Sequence, residues 1–184
     1  VGSEMCIRDR DIPIQHISDR VLRAMHRRGT GQEIRTLFRK LRERIPGLVL
    51  RTSLIAGFPG ETEEEFEASY AFVDRVDFYE THIFKYSKRE GTKAAVMDGQ
   101  IDEKIKGERS ARMIALGERK KKAYEDSFIG KEVEVLFEER AQIEGKAVMT
   151  GHTKEYMKIA LETEKNISNC IVKVRIENHS QIIR

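Results

Sequence analysis

Between Asp11 and about Phe128 the chain alternates short apolar runs with helix-patterned segments three times, and this alternation restricts the fold more than any other feature. Strands separated by helix-length connections are best satisfied by parallel pairing with helices on the sheet, so the expected fold class is α/β. Residues 11–15 read as a strand stub. Ser18 is placed to cap a helix carrying Val21, Leu22 and Met25, and Thr30 with Glu33 three residues on forms a capping box. The helix after Thr30 sets Ile34, Leu37, Phe38, Leu41 and Ile45 on one face, and Pro46-Gly47 stops it. Residues 48–56 then read as a buried strand and residues 57–61 as a tight turn. Thr62 and Glu65 form a second capping box, opening a helix that buries Phe66, Tyr70 and Val73. A third strand covers residues 78–86.

The remainder changes character. Residues 102–128 read as a long, highly charged helix with a sparse apolar stripe, Ile105, Met113, Leu116 and Ala123, which fits a connector packed on one side. Residues 129–138, 156–161 and 170–176 alternate apolar and polar side chains, so the last 55 or so residues are expected to form a small all-β barrel. The opening VGSEMCIRDR has neither period and reads like translated sequencing adapter. Residues 1–10 are therefore set aside as non-native, Cys6 included.

Composition narrows the function classes. With 39% hydrophobic and 35% charged residues, signs interspersed, the chain is expected to fold. A formal net charge of +3 does not by itself mark a nucleic-acid binder, and Lys120, Lys121 and Lys122 are the only tight basic run. No apolar stretch approaches the ~18 residues of a membrane span and no secretory leader is visible, so a cytoplasmic protein with no membrane partner is expected. Two cysteines, Cys6 and Cys170, exclude a disulfide scaffold and any three-cysteine metal site within these residues. His16 has no spaced partner of metal-ligand type and reads as a packed, hydrogen-bonded histidine.

The sharpest local signal is LIAGFPGE, residues 54–61, where a buried strand runs into Gly-Phe-Pro-Gly. The strand end is where chemistry sits in parallel barrels, and glycines let a ligand approach the main chain. An ordinary strand-to-helix turn accounts for the pattern equally well, with Glu61 favouring the helix N-terminus.

PIQHISDRVLRAMHRRGT, LRTSLIAGFPGETEEEF and FKYSKREGTKAA, in this order and spacing, resemble the second half of the radical S-adenosylmethionine (SAM) methylthiotransferases. The resemblance implies residues 11–101 as the C-terminal half of a radical SAM (βα) barrel, 102–128 as a linking helix, and 129–184 as a TRAM-like, OB-like RNA-binding barrel, with MTGHTKEYMKIA as its distinctive string. It implies SAM and iron–sulfur clusters as cofactors, an upstream CxxxCxxC loop holding one cluster, an electron donor, and reductive cleavage of SAM, because sulfur insertion at an unreactive C–H bond lies beyond any side chain. A cluster needs several thiolates, so the chain by itself is expected to be inactive and to contribute no catalytic or metal-binding residue. By the same resemblance Gln15, Ser18, Arg51, Thr52, Gly57, Phe58, Pro59 and Gly60 contact SAM. Tyr86, Ser87, Arg89, Gly91 and Thr92 hold substrate or close the cavity, although Lys88 and Arg89 read equally as a solvated loop. Lys131, His152, Lys154 and Tyr156 contact RNA through phosphate and stacking, unless Tyr156 is core.

The two halves resemble different branches. Residues 11–56 are similar to the RimO-type enzymes, which modify an aspartate of a small-subunit ribosomal protein; the later segments are similar to the MtaB-type enzymes, which methylthiolate threonylcarbamoyladenosine beside the tRNA anticodon. A chimera joined between about Ala56 and Glu67 accounts for the mixture. The longer half favours tRNA as partner, with the ribosomal protein second and a non-catalytic RNA-binding module as the alternative from another class.

Overall fold

The computed structural model describes residues 9–183; the expectation for residues 1–8, including Cys6, lies outside them. The described residues form two compact units, residues 10–46 with 50–121, and residues 122–183 with 47–49 and Asp9.

The first unit is built on a three-stranded sheet, β1 (Asp9–Asp11), β2 (Val49–Ala56) and β3 (Glu80–Lys85), in that order. Asp9 and Arg10, expected to fall outside the fold, are part of β1: backbone pairing needs no side-chain period, which is why the sequence pattern did not find them. β2 and β3 are parallel from Arg51↔Glu80 to Ala56↔Lys85. Residues 11–15 are not one continuous strand. Pro13 has no N–H to give to a ladder, and pairing resumes only at Gln15, which bridges Leu54 in parallel.

Four helices accompany the sheet: α1 (Asp19–Ala24), α2 (Gly31–Arg44), α3 (Glu63–Val76) and α4 (Glu103–Asp126). The caps follow the sequence. Ser18 accepts from the Val21 N–H, and both capping boxes, Thr30/Glu33 and Thr62/Glu65, are closed. α2 and α3 are clamped by a triad of edge-to-face or tilted rings, Phe38 on Phe72 at 5.6 Å, Phe38 on Phe78 at 5.1 Å and Phe72 on Phe78 at 6.0 Å. Each fully buried phenylalanine contributes about 1.5–3 kcal/mol, so this triad is the main anchor of α2. The broad apolar face expected on α2 is not wholly buried: Phe38 is inside, whereas Leu37 and Ile45 are 44% and 41% exposed, and an open groove separates part of α2 from α3.

The stripe expected on α4 is also corrected. Met113 and Leu116 are buried, but Ile105 is 42% exposed and Ala123 faces solvent. The buried line begins instead with Lys106, Arg109 and Ser110. Gly117 lies on the same line, where a Cβ would stand 2.1 Å from the Thr81 hydroxyl, so α4 packs directly onto β3.

Along β2 the burial alternates: Leu50, Thr52, Leu54 and Ala56 are buried and Arg51, Ser53 and Ile55 are intermediate. Successive strand residues point to opposite faces, and the register puts Glu80, His82 and Phe84 beside Arg51, Ser53 and Ile55. Thr81, on the other face, is the residue α4 covers. The sheet therefore has one helix-covered face and one face open enough to leave Phe84 57% exposed.

The second unit is a four-stranded antiparallel sheet in the order β6-β5-β4-β7, from β4 (Glu132–Ile143), β5 (Lys146–Thr153), β6 (Lys158–Glu162) and β7 (Ile171–Arg175). Beyond β7 the chain returns to the opposite edge, where Ile182 bridges Ile159 of β6, so the β6 edge is tied. Val133, Val135, Phe137, Met149, Met157 and Ile159 form its core. A register shift between Phe137 and Glu139 bends β4. Close by, Gly151 lets the backbones of β4 and β5 approach, since a Cβ there would lie 2.1 Å from the Leu136 carbonyl oxygen. The chain is thus α/β, with a parallel-sheet unit followed by a separate antiparallel one.

Candidate functional site

Because the strands of the first unit are parallel, the loops leaving their C-terminal ends lie on one edge of the sheet, the edge at which parallel α/β folds carry their sites. Three of the sequence-selected segments meet there: Gln15–Ser18 after β1, Gly57–Glu61 after β2 and Tyr86–Thr92 after β3. Phe58 packs edge-on to Tyr86 at 5.5 Å, and the two share a buried cluster with Val21 of α1.

The turn after β2 is held from beneath by buried polar groups. Glu61 accepts from the Gly57 N–H at 2.8 Å and from Arg109 Nη1 at 2.7 Å through Oε2, and meets His16 Nε2 at 3.0 Å through Oε1. His16 Nδ1 accepts from the Ser18 N–H at 3.0 Å. The hydrogen of this imidazole therefore sits on Nε2 and is donated to Glu61. Arg109 also donates to the Glu61 carbonyl at 3.0 Å and to Glu63 Oε2 at 2.8 Å. One carboxylate thus ties the β1 loop, the β2 turn and α4 together, and all three side chains are buried. His16 is a packed, hydrogen-bonded histidine as the sequence implied. Arg109 was missed. Its one sequence signal was the 106, 109, 110, 113, 116, 117 spacing, visible only if Ser110 and Gly117 are counted as buried.

The glycines of the turn have intramolecular reasons. At Gly57, with φ +78°, a Cβ would stand 2.2 Å from Lys106 Cγ. Gly60, also at φ +78°, donates its N–H to the Gly99 carbonyl at 2.7 Å and accepts from Arg20 at 2.5 Å. Phe58 and Pro59 are buried. The space a side chain would need is thus filled by this chain at Gly57, whereas at Gly60 a Cβ would meet only the end of Arg20, at 3.3 Å.

Of the other residues assigned to SAM, Thr52 is fully buried and donates to the Ile12 carbonyl at 2.8 Å. Ser18 Oγ donates to Glu65 at 2.7 Å. Burial favours the neutral form of Glu65, but hydrogen bonds from Arg20, the Thr62 N–H and Ser18 outweigh it and hold the carboxyl at about 2. Arg51 is half-buried on the open sheet face, 3.8 Å from Glu80. Gln15 adopts φ +67°, a left-handed conformation uncommon for a residue with a side chain, while its backbone remains paired to β2.

In the loop after β3, Tyr86 is buried and its hydroxyl has no hydrogen-bond partner among the described residues. Ser87, Arg89 and Gly91 are exposed, and Thr92 closes a turn by donating to the Arg89 carbonyl at 2.8 Å.

In the second unit His152 and Tyr156 stack, ring centroids 5.1 Å apart and planes 28° from parallel, with Tyr156 38% exposed rather than core. Tyr156 occupies φ +67°, where glycine or asparagine would be relaxed. Lys131 and Lys154 line a cleft of about 360 Å³ with Lys173, Glu132, Glu134 and Glu155, and Lys131 Nζ lies 5.2 Å from the Phe128 ring centroid. Lys173 was missed from sequence because its strand alternation alone marks it as merely solvent-facing. Among the described residues no three His, Cys, Asp or Glu side chains converge as a metal site, and no helix is long and apolar enough to cross a membrane.

Comparison with known proteins fits this parallel-strand edge. The Radical SAM superfamily model matches residues 11–73, from β1 through most of α3. The threonylcarbamoyladenosine tRNA methylthiotransferase of Bacillus subtilis (strain 168) is 39% identical over 175 residues, 95% of this chain and 39% of that protein. The ribosomal protein uS12 methylthiotransferase of Anaeromyxobacter sp. (strain K) is 47% identical over 132 residues, 72% of this chain and 28% of that protein. The tRNA-2-methylthio-N(6)-dimethylallyladenosine synthase of Acetivibrio thermocellus is 38% identical over 165 residues, 90% of this chain and 34% of that protein. The chain belongs to the radical SAM methylthiotransferase family, and it spans about two fifths or less of the length of these curated relatives.

Proposed function

We propose that the chain is the C-terminal part of a tRNA methylthiotransferase acting on threonylcarbamoyladenosine, with residues 129–184 serving as a TRAM-like RNA-binding domain. The observation that carries this reading is Tyr156: an exposed aromatic, stacked on His152, is kept at a positive φ where a smaller residue would cost less. Backbone strain of about 1–3 kcal/mol persists where function selects the side chain, and an exposed ring beside lysines suits a nucleobase and its phosphate. The 95% coverage by the B. subtilis tRNA enzyme supports the same acceptor. The uS12 reading stands second, supported by the higher identity of the Anaeromyxobacter relative over 132 residues.

The family's cofactors fit this chain unequally. SAM suits the open sheet face, where Gln15, Arg51 and Ser53 offer polar groups beside Ile55 and Phe84, and the unpartnered Tyr86 hydroxyl is a donor awaiting an acceptor. Bound there, SAM would supply the radical chemistry that activates an unreactive C–H bond once a reductant held outside these residues had given it one electron. The residues of this chain bind and orient it, and the His16–Glu61–Arg109 network keeps the loops that border the face fixed. An iron–sulfur cluster does not fit these residues: of the two cysteines, Cys170 is exposed with its thiol hydrogen-bonded to the Ser168 carbonyl at 3.7 Å, and Cys6 lies outside the described residues. The chain alone is therefore proposed to bind without turnover. Restoring the upstream coding sequence and expressing the product in a strain lacking both activities tests the acceptor. Mass spectrometry should find the methylthio group on threonylcarbamoyladenosine in tRNA; a methylthio group on the uS12 aspartate instead overturns the first reading in favour of the second.

A further inference from the structure

One groove of the first unit lies away from the strand ends. It runs between α2 and α3, encloses about 630 Å³, and has the buried rings Phe38 and Phe72 as its floor. Its walls carry Arg35, Arg39 and Arg42 from α2 and Arg75 from α3, all exposed, against two acids, Glu43 and Asp77. Both acids are already engaged: Glu43 lies 3.9 Å from Arg39, and Asp77 accepts from Lys120 at 2.7 Å. Arg42 donates to the Val76 and Asp77 carbonyls at 2.9 and 2.6 Å, capping the end of α3, so the groove has a wall fixed in place.

The charge is concentrated here. α2 alone holds Arg35, Arg39, Lys40, Arg42 and Arg44 against Glu33 and Glu43, in a chain whose whole formal excess is +3. Arg35, Arg39 and Arg42 share one helix face at i, i+4 and i+7, spread over about 10 Å. Like charges at this spacing weaken a helix, a cost that the Arg39–Glu43 pair and the Arg42 cap on α3 offset only at those two positions. Arg35 and Arg39 on one wall and Arg75 on the other bring exposed guanidinium groups to a single groove, a donor set suited to phosphate oxygens.

We propose that the α2–α3 groove is a second RNA-contacting surface, gripping a phosphate backbone through Arg39 and Arg75 with Arg35 and Arg42 alongside. This goes beyond the reading of the β-sheet unit as an RNA-binding domain and does not depend on which acceptor is modified.

The test is fluorescence anisotropy of an end-labelled RNA stem-loop titrated with the full chain between about 50 and 200 mM salt. Three proteins are compared: the parent, an Arg39→Gln/Arg75→Gln variant, and a Lys154→Gln/Tyr156→Ala variant. Circular dichroism on each confirms that the exposed substitutions leave the fold intact. Each lost phosphate contact lowers the slope of log affinity against log salt by about one, so the arginine variant should lose about two from its slope and bind several-fold more weakly. The β-unit variant should weaken binding separately and keep the arginine contribution. An unchanged slope in the arginine variant, with the β-unit variant still impaired, overturns the groove and leaves the RNA-binding domain standing. Loss in neither variant overturns both. Polyglutamate competing as well as unlabelled RNA, with the same dependence on Arg39 and Arg75, also overturns the proposal by marking the groove as a site for acidic protein.

Discussion

At the scale of single residues, Gly57 and Gly60 share a φ of +78° but not an environment. A β-carbon at Gly57 meets the root of the Lys106 side chain at 2.2 Å, whereas at Gly60 the nearest approach is the end of Arg20 at 3.3 Å. Left-handed backbone costs a residue with a Cβ about 1–2 kcal/mol, and a close-packed clash adds about 1–3 kcal/mol. Gly57→Ala should therefore destabilise by about 2–5 kcal/mol and Gly60→Ala by only about 1–2 kcal/mol, read as urea midpoints. Equal losses would mean that Lys106 does not press on the turn. Glu65 gives a pH-dependent test. Its folded value, about 2, lies below the ordinary 4.5, so its contribution is complete above about 4.5 and is lost as the pH falls through about 2. Glu65→Gln keeps an acceptor for the capping box but loses the charge facing Arg20. The gap in urea midpoint between parent and variant should be widest near pH 6 and close as the pH approaches 2; a gap that stays constant would assign the effect to geometry rather than charge.

At the scale of elements, what was legible in the sequence was local. Ser18, Thr30 and Thr62 announce their helices because a cap and its partner lie three residues apart, and the strand of residues 48–56 announces itself by composition. Arg109 and Glu61 are 48 residues apart, and nothing within either neighbourhood shows that a helix of alternating charges turns a buried arginine inward. The polar Arg51 and Ser53 in β2 were informative in retrospect: a strand covered on both faces reads as nearly continuous apolar residues, and this one alternates. The same elements separate two kinds of ion pair. Removing one member of a buried, hydrogen-bonded pair costs about 3–5 kcal/mol because the other charge is left unsatisfied, whereas exposed pairs contribute about 0.2–1 kcal/mol. Arg109→Leu should therefore cost several-fold more stability than Arg112→Leu, whose partners Glu63 and Glu67 are half-exposed. Comparable losses in urea unfolding would show that α4 is held by its surface charges rather than by Glu61. The network also spans residues 56–67, where a join between two parents was expected: His16 lies before that segment, Arg109 after it and Glu61 within it, and the B. subtilis relative aligns over 175 residues of the 184.

At the scale of the whole molecule, the open face of the parallel sheet decides behaviour in solution. Parallel sheets are ordinarily covered on both faces, yet here Phe84 is 57% exposed, although Ile55 beside it packs partly against the Val21–Phe58–Tyr86 cluster. The polar members of the face, Arg51, Glu80 and His82, lie toward the start of the strands, with Glu80 3.8 Å from Arg51 and 4.0 Å from His82, so the apolar surface is concentrated at the end that carries Phe84. An exposed strand edge and an apolar face together favour association between copies. Sedimentation velocity on the isolated chain should show a concentration-dependent shift to higher-mass species. Phe84→Glu should restore a monomer without lowering the unfolding free energy by more than about 0.5 kcal/mol, the range of surface substitutions. If instead the parent remains monomeric at high concentration, the face is shielded in solution, and Gln15, Arg51 and Ser53 lose the accessibility that a cofactor contact requires.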